Sequence, residues 1–255
     1  MPILIDRKTH VLIHGVEAEA VSIVQQLLAY GTNVTAFIEA GKGGTSLLDI
    51  PYFDSVVRAK KQSAANVSFI FSSLEKAADA ILEAEDAGIP LIVCNTSSIP
   101  LQDMTEAQRI LRRNGRSRLI GPGSYGIITP GQSKVGSMPG YMYSSGSIGI
   151  VSRYGTLMDE VAWGLTSKGI GQSTCIHIGD YPFLGTTVAD LVSLLENDEH
   201  TETIIILGES NDFISLQNGR KEIVGLCLDG TKIKGVKMPV YDSIELLCNN
   251  FITEN

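Results

Sequence analysis

The chain has few of several residue types, and each shortage excludes a class of protein. Four cysteines occur among 255 residues. They are dispersed and three stand in apolar runs, so we expect neither a disulfide framework nor a zinc site. Acidic residues outnumber basic ones, and the net charge is −8. From this acidic charge we expect no cluster of Lys and Arg. Nonspecific nucleic-acid binding needs such a cluster, so we expect no nucleic-acid partner.

Long apolar runs are also missing. None reaches the length that spans a bilayer, and the start, Met1-Pro2-Ile3-Leu4-Ile5-Asp6-Arg7, lacks the apolar region of a secretory signal. We therefore expect no membrane association and a cytoplasmic location. Hydrophobic residues make up 44% of the chain and charged residues 19%, as in a folded globular protein. The length suits one large domain or two of ordinary size.

Strand-like and helix-like segments alternate along most of the chain. Strands are predicted near Ile148 and at residues 10–15, 33–38, 67–71, 90–95, 118–121, 173–178 and 203–209. Helices are predicted at residues 18–30, 75–87, 104–113, 157–168 and 188–196. This alternation is typical of parallel sheets covered on both faces, which bind ligands at the carboxyl ends of their strands. Beyond Glu209 the pattern weakens, and we predict a helix at 220–228, a strand at 236–240 and a helix at 244–251.

The stretch from Gly146 to Glu160 passes from a β-branched run through a turn into a helical segment. The turn consists of Ser152, Arg153, Tyr154, Gly155 and Thr156. Loop amides and the first N–H groups of a helix converge at such a turn, and the helix dipole adds partial positive charge. The pattern predicts an anion site for a phosphoryl or carboxylate group. The alternative is an ordinary strand-to-helix turn of an α/β domain.

Short motifs follow one another along the chain: Ile3-Leu4-Ile5-Asp6, Gly41-Lys42-Gly43-Gly44-Thr45, Ile120-Gly121-Pro122, Ile127-Ile128-Thr129-Pro130-Gly131, Gly149-Ile150-Val151-Ser152-Arg153 with Gly155-Thr156-Leu157, Gly171-Gln172-Ser173-Thr174-Cys175, and Leu207-Gly208-Glu209. In this order they resemble the α-subunit of succinyl-CoA synthetase, in the wider family that includes ATP-citrate lyase. The resemblance implies an α/β fold with an N-terminal Rossmann-type CoA-binding domain and a C-terminal flavodoxin-like domain, both with mainly parallel sheets.

The resemblance, together with a Gly- and Pro-rich stretch after Gly121, also predicts how the chain is divided. The expected parts are a CoA-binding-like domain at 1–128, a Gly/Pro-rich crossing at 129–146 and a truncated ligase domain at 147–255. The implied reaction is ATP- or GTP-dependent ligation of an acid to coenzyme A through a phosphorylated histidine. The implied partner is a β-subunit with an ATP-grasp nucleotide site, with a homo-oligomer as the alternative. No metal is expected in this chain.

By the same resemblance, the residues expected to bind coenzyme A are Lys42, Gly43, Gly15, Asn95 and Thr96. Lys42 matches the family's CoA-contacting lysine and Gly43 its glycine loop. The first turn departs from the family, because Glu17 and Glu19 replace Thr, Ser and Gln near a polyanion. Their like charge is expected to weaken CoA binding. Alternatively, they are first-turn acids that stabilise a helix start.

Other departures concern the substrate and the nucleophile. Gly123-Ser124-Tyr125 replaces the family's Asn-Cys-Pro and puts succinate in doubt as the acid, and Tyr154 replaces a serine. The family's phosphohistidine lies in a Gly-His-Ala-Gly loop of the second domain, but no histidine follows His200 here. Phosphohistidine turnover is therefore expected to be impaired. Glu209, which resembles the glutamate that orients that histidine, would be vestigial.

His177 is the candidate for a replacement nucleophile, because it stands where the family has glycine near a strand end. A lone histidine in an apolar strand is more often a packed core residue. Two functions remain open at this point. The chain is either a subunit of an acid–CoA ligase that binds a small acid or coenzyme A, or a non-catalytic paralogue that acts as a structural, regulatory or small-ligand-binding partner of a β-subunit.

Overall fold

Two sheets, both mainly parallel, organise the chain in the computed structural model. The structure describes residues 4–15, 18–179, 183–214, 216, 219–227 and 238–251, except for the side chains of residues 18 and 19. Helices alternate with the strands in both halves. The predicted α/β class is therefore confirmed.

The first sheet has the strand order β3-β4-β2-β1-β5-β6-β7. Its neighbours run parallel except for the β3–β4 pair. The strands are β1 (His10–His14), β2 (Asn33–Ile38), β3 (Ser46–Leu47), β4 (Ile50–Phe53), β5 (Val67–Ile70), β6 (Leu91–Cys94) and β7 (Arg118–Ile120). The helices around them are α1 (Ala18–Tyr30), α2 (Val56–Ser63), α3 (Leu74–Asp86) and α4 (Leu101–Asn114).

The second sheet has the order β14-β13-β12-β10-β11-β8-β9. The pairs β11–β8 and β8–β9 are antiparallel and the others are parallel. The strands are β8 (Gly126–Thr129), β9 (Ser133–Gly136), β10 (Ser145–Ser152), β11 (Gln172–His177), β12 (Thr203–Leu207), β13 (Glu222–Leu226) and β14 (Val240–Tyr241). The helices are α5 (Gly155–Thr166), α6 (Val188–Glu196), α7 (Ser210–Ile214) and α8 (Ile244–Asn250), with a short 3₁₀ turn at Gly140–Met142.

Apolar spacing explains why these segments adopt their structures. In α4, Met104, Ala107 and Leu111 are buried at helical spacing, and Gly115 ends the helix with a φ of 63°. In β1, Val11, Leu12 and Ile13 are all buried, because helices cover both faces of a parallel sheet. Helix and strand burial thus fix the scaffold that carries the strand-end loops.

The final third of the chain corrects one prediction. The helix predicted at 220–228 is wrong, because residues Glu222–Leu226 form β13, which pairs with β12 in parallel. The last four residues of this strand are buried. In this Glu-Ile-Val-Gly-Leu segment, β-branched residues and a buried sheet position outweigh the helical spacing. Residues 236 and 237 of the predicted strand lie outside the described residues, and the final helix is present at Ile244–Asn250.

The β8–β9 hairpin joins the two halves. It belongs to the second sheet but contacts α1 of the first half. The Thr32 hydroxyl donates to the Lys134 carbonyl at 2.7 Å, and the Gly131 amide donates to the Tyr30 hydroxyl at 3.1 Å. The chain changes sheets between Ile120 and Gly126, and the Gly/Pro-rich stretch holds β9 and the 3₁₀ turn. The domain boundaries at 128 and 146 stay predictions.

Within the described ranges, no helix combines the length and apolar character needed to cross a bilayer. The four cysteines, Cys94, Cys175, Cys227 and Cys248, are buried, and none of them forms a disulfide bond. Burial raises the pKa of the Cys94 thiol to about 12, which keeps that thiol protonated and unreactive.

Candidate functional site

The loops that follow β1, β2, β5 and β6 meet at the carboxyl end of the first sheet, here called the first edge. Gly15 follows β1 with a φ of 75°, and a Cβ atom there would lie 2.6 Å from the Ser72 Cα atom after β5. Only glycine fits both the backbone conformation and this close approach. Val16 and Glu17 lie outside the described residues, as does the side chain of Glu19. Their expected effect on CoA binding stays a prediction.

The glycine loop after β2 is closed by a carboxylate. The Gly41 and Gly43 amides donate to Asp54 Oδ1 at 3.0 and 3.1 Å. Lys42 leaves this loop with a half-exposed side chain, forms an ion pair with Glu39 at 2.8 Å and lies 5.3 Å from the Tyr52 ring centroid. An exposed ion pair of this kind is weak, so the ammonium can exchange Glu39 for a ligand.

A cavity of about 790 Å³ lies beside this loop. Gly43, Gly44, Tyr52 and Arg58 contribute to its wall, and it extends along the sheet to His10. Its size suits a cofactor or a drug-sized ligand. The cavity therefore adds space for a ligand next to Lys42.

Asn95 and Thr96, which follow β6, hold neighbouring loops in place. The Asn95 side-chain amide donates to the Ser124 carbonyl at 2.8 Å, and the Thr96 hydroxyl donates to the Ser72 carbonyl at 2.6 Å. Gly15 also approaches Ser72, so Thr96 and Gly15 border the same loop. The residues expected to bind coenzyme A thus follow the carboxyl ends of β1, β2 and β6, with β5 between β1 and β6.

His14 is the last residue of β1 and lies directly before Gly15. It is 4% exposed, and its Nε2 atom has no hydrogen-bond partner. Burial lowers the pKa of His14 to about 4, because the apolar surroundings disfavour the charged imidazolium. No sequence pattern singled out this buried neutral base.

The second edge comprises the turn 152–156 after β10 and the segment 208–212 after β12. The Ser152 hydroxyl accepts from the Tyr154 amide at 2.9 Å and donates to the Tyr154 carbonyl at 2.8 Å. Tyr154 is the N-cap residue of α5 and forms no side-chain cap. The serine predicted to bind an anion therefore binds its own turn.

Arg153 already binds an anion supplied by the chain. Its Nε and Nη2 atoms donate to the two carboxylate oxygens of Asp212 at 2.5 and 2.7 Å, and the Glu209 amide donates to Asp212 Oδ2 at 3.0 Å. Hydrogen bonding to Asp212 raises the pKa of Arg153 further. Asp212 is buried in α7, and no sequence pattern indicated this partner. Glu209 itself is exposed at the end of β12.

Tyr125 covers the start of α5. A Cβ atom at Gly155 would collide with the Tyr125 ring, which also lies 5.0 Å from the His177 ring. The sequence pointed to Tyr154 as the bulky residue of this turn. Tyr154 is 38% exposed. Partial burial raises the pKa of Tyr154, and the negative charge of the nearby Glu209 raises it further. Thr156 is exposed in the first turn of α5.

His177 uses both ring nitrogens for backbone contacts. Nδ1 accepts from the Tyr125 amide at 2.7 Å, and Nε2 lies 2.9 Å from the Arg153 carbonyl. Because Nδ1 accepts, Nε2 carries the proton and donates to Arg153. The ring is 4% exposed. Phosphorylation at either nitrogen would break one of these bonds, so the geometry favours a structural role.

No group of three or more His, Cys, Asp or Glu in the described part of the chain could hold a metal ion.

Family models match both halves of the chain. A model described as CoA binding domain matches residues 6–98, and a model described as CoA-ligase matches residues 151–210. The first match spans the loops of the first edge up to Thr96. The second contains both segments of the second edge except residues beyond 210.

Curated relatives match most of the chain. Succinate–CoA ligase (ADP-forming) subunit alpha of Aquifex aeolicus is 44% identical over 211 residues, which cover 82% of this chain and 69% of that protein. Succinate–CoA ligase (ADP-forming) subunit alpha 2 of Archaeoglobus fulgidus is 40% identical over 210 residues, covering 82% of this chain and 73% of that protein.

Solved structures share the fold. ATP citrate lyase from Methanothrix soehngenii, in complex with citrate and coenzyme A, has a TM-score of 0.78 at 19% identity and covers 98% of this chain and 47% of that chain. Dinucleotide-forming acetyl-coenzyme A synthetase 1 of Ca. Korarchaeum cryptofilum, in complex with phosphate and ADP, has a TM-score of 0.73 at 18% identity, with coverages of 94% and 59%. The chain therefore spans about half the length of these solved proteins.

Proposed function

The chain belongs to the family of succinate–CoA ligase alpha subunits, and on this premise we propose that it binds coenzyme A at the first edge as a subunit of an acid–CoA ligase. One observation carries this proposal. Gly15, Lys42, Gly43, Asn95 and Thr96 all lie in loops at the carboxyl ends of β1, β2 and β6, which are parallel strands of the first sheet. Ligands bind at such strand ends because several loops converge there.

Each group has a role that its chemistry supports. Lys42 supplies a half-exposed ammonium for a phosphate of coenzyme A, after it exchanges Glu39 for the ligand. Gly15 lets the backbone approach the ligand closely, and Asn95 and Thr96 position the adjacent loops. Coenzyme A would supply the thiol that accepts the acyl group.

The second edge is proposed to contribute less to ligand binding than the first edge. We infer that Ser152, Arg153, Tyr154, Gly155 and Thr156 hold an anion only weakly, because Asp212 and Tyr125 occupy the turn. His177 serves as a structural residue and Glu209 as a vestigial one. The relatives are ligase subunits, so a purely non-catalytic paralogue is not favoured.

The relatives are named as alpha subunits, which supports a second subunit. We propose an ATP-grasp β-subunit as that partner, with copurification from the native source as the test. A homo-oligomer alone would contradict it. The four buried cysteines, none of which forms a disulfide bond, support a cytoplasmic location.

Calorimetric titration with coenzyme A tests the main proposal. We expect saturable binding that Lys42→Ala weakens about tenfold, as expected for loss of one charge-assisted hydrogen bond. Lys61→Ala is the matched control, because Lys61 is an exposed lysine in the last turn of α2. It should leave the affinity unchanged. Absence of binding at millimolar coenzyme A, or equal losses in both variants, would refute CoA binding at this edge.

A further inference from the structure

An acidic total charge conceals a basic segment. Five of the nine arginines lie within residues 109–118, although the net charge of the chain is −8. The segment runs from the second half of α4 into the start of β7. The expectation that the chain has no basic cluster was therefore wrong at this place. Such a local excess of guanidinium groups creates a positive potential that the overall charge does not reveal.

The five arginines have different surroundings. Arg109 forms an ion pair with Glu106 on the surface of α4. Arg112, Arg116 and Arg118 line one cavity of about 430 Å³, which the first turn of α6 and the residues before it also border. Arg113 is exposed and lines neither this cavity nor the one next to it. Three arginines thus line one concave space.

Arg116 is held in a fixed orientation. Its Nε and Nη2 atoms donate to the two Glu85 carboxylate oxygens at 3.1 and 3.2 Å, and Asn114 donates to the same carboxylate at 3.0 Å. Glu85 is 1% exposed, whereas about half of the Arg116 side chain is exposed. A guanidinium has five N–H donors, so donors remain for a ligand after this contact.

Arg112 connects this cavity with a second one of about 330 Å³, which Arg153 and Thr187 also line. The segment 184–190 runs along both cavities, with some of its residues in each lining. Residues of α4 line both cavities, and residues of β7 line only the first. Together, the two cavities form a groove between the halves of the molecule, here called the arginine groove. The arginines that line it are Arg153, Arg112, Arg116 and Arg118.

Two carboxylates line this groove. Asp212 is paired with Arg153. Asp190 accepts hydrogen bonds from the Thr187 hydroxyl and amide in a capping box, and the charges of Arg118 and Arg112 favour its ionised form. Neither Arg112 nor Arg118 forms an ion pair with a carboxylate of the residues the structure describes. Together with Glu85, which is paired with Arg116, three carboxylates stand against the four arginines. The groove therefore retains an excess of one positive charge.

We propose that the arginine groove binds a small molecule that carries two or more phosphoryl groups. Planar guanidinium donors match phosphate oxygens, and several arginines along one groove match several phosphoryl groups. Arg118 begins β7 and so lies at the amino edge of the first sheet, whereas Gly15 and Lys42 follow strand ends at the opposite edge. The groove is a site separate from the proposed coenzyme A site.

Calorimetry with inorganic tripolyphosphate and the full chain tests this proposal. We expect one saturable site whose affinity falls about tenfold in Arg112→Ala and in Arg118→Ala, and which weakens as salt is added. Arg113→Ala is the matched control, since it removes the same charge from the next residue of the same helix. It should change the affinity less than about twofold.

The Arg112→Lys variant keeps the charge but not the planar donors, and we expect an intermediate affinity. Absence of saturable binding at millimolar tripolyphosphate would overturn the proposal. Equal weakening by Arg112→Ala and Arg113→Ala would also overturn it, because that result means a diffuse charge effect. Tighter binding of ADP than of pyrophosphate would assign the ligand as a nucleotide, and equal binding would assign it as an inorganic polyphosphate.

Coenzyme A carries phosphates too, so the two sites must be tested separately. Lys42→Ala should leave tripolyphosphate binding unchanged, and Arg118→Ala should leave coenzyme A binding unchanged. Loss of tripolyphosphate binding in Lys42→Ala would place the anion at the first edge and overturn the groove. Tripolyphosphate binding without any coenzyme A binding would refute the proposed function and leave the arginine groove standing.

Discussion

The two edges of the molecule have similar architecture but differ in what their polar groups contact. At the first edge, the side chains of Lys42 and its partner Glu39 are 47% and 39% exposed. At the second edge, the Arg153 guanidinium is paired with the buried carboxylate of Asp212, and Tyr125 lies against Gly155. The first edge can exchange its contacts for a ligand at low cost, whereas the second must first break internal bonds.

The edges also differ in their buried histidines. His14 ends β1 with an Nε2 atom that has no partner, whereas both nitrogens of His177 bind backbone groups. A buried polar atom without a partner costs stability, and one that is fully bonded adds it. The unpaired Nε2 atom of His14 therefore lowers stability at the first edge, whereas the hydrogen bonds of His177 raise stability at the second edge.

The largest expected effect is the difference in stability loss between a glycine substitution at the first edge and one at the second edge. Gly15→Ala should destabilise the fold by roughly 3 kcal/mol and abolish coenzyme A binding, because its Cβ atom would meet the Ser72 backbone at a positive φ. Gly155→Ala should cost only about 1 kcal/mol, since the Tyr125 ring can move. Chemical denaturation measures both.

Gly31→Ala is the control for backbone strain alone, because Gly31 has a φ of 91° with nothing near its missing Cβ atom. It should cost about 1 kcal/mol. If Gly15→Ala were no more harmful than Gly31→Ala, the close approach at the first edge would have no energetic weight.

The second effect concerns pH. The pKa of His14 is about 4 in the folded protein, against about 6.5 in the unfolded chain. The unfolded chain therefore binds this proton first, and stability is lost as the pH falls from about 6.5 to about 4, by up to roughly 3 kcal/mol. Above pH 6.5 the residue contributes no pH dependence.

We expect His14→Gln to flatten the stability profile in that window, as measured by urea denaturation at several pH values. His200→Gln, at an exposed position, is the control and should keep the slope. An unchanged slope in His14→Gln would show that other groups cause the acid sensitivity.

A third effect concerns the ion pair between Arg153 and Asp212 at the second edge. Asp212→Asn removes the carboxylate charge from Arg153 and should lower stability by roughly 1 to 2 kcal/mol, because this pair is only partly exposed. Inorganic phosphate should then bind about tenfold more tightly. Asp242→Asn makes the same charge change at an exposed site and should do neither. If Asp212→Asn did not improve phosphate binding, Asp212 would not be the group that prevents phosphate from binding to Arg153.

The smallest effect concerns the ring over α5. Tyr125→Ala should uncover the helix start, improve phosphate binding a few-fold and cost about 1 kcal/mol, because the ring is 41% exposed. Tyr154→Ala, with a similar exposure of 38%, should have a smaller effect on phosphate. Isothermal titration distinguishes the two, and a reversed order would return the blocking role to Tyr154.

The sequence predicted the regular elements best where periodicity and burial agree. The helices Ala18–Tyr30 and Val188–Glu196 have their predicted bounds. The short strands Ser46–Leu47 and Ile50–Phe53 and the helix Val56–Ser63 were not predicted, because segments of this length carry little periodic signal. The β8–β9 hairpin lay in a Gly/Pro-rich stretch that indicates turns as strongly as strands.

The candidate site was predictable as a set of positions but not as a set of contacts. Motifs located Lys42 and Ser152 at strand ends. They could not show that Asp54 binds the glycine loop or that Asp212 binds Arg153, because these partners come from separate elements brought together by folding. Whole-chain charge likewise concealed the arginines around Arg112, since net charge averages over all surfaces.

The hairpin that binds α1 has a mechanical consequence. The contacts from Thr32 to Lys134 and from Gly131 to Tyr30 fasten the helix behind the first sheet to a strand pair of the second. Hinge bending between the halves would break these bonds, so the two sheets should melt in a single cooperative calorimetric transition. We therefore expect closure around a ligand to involve movement of loops, without a change in the relative position of the two sheets.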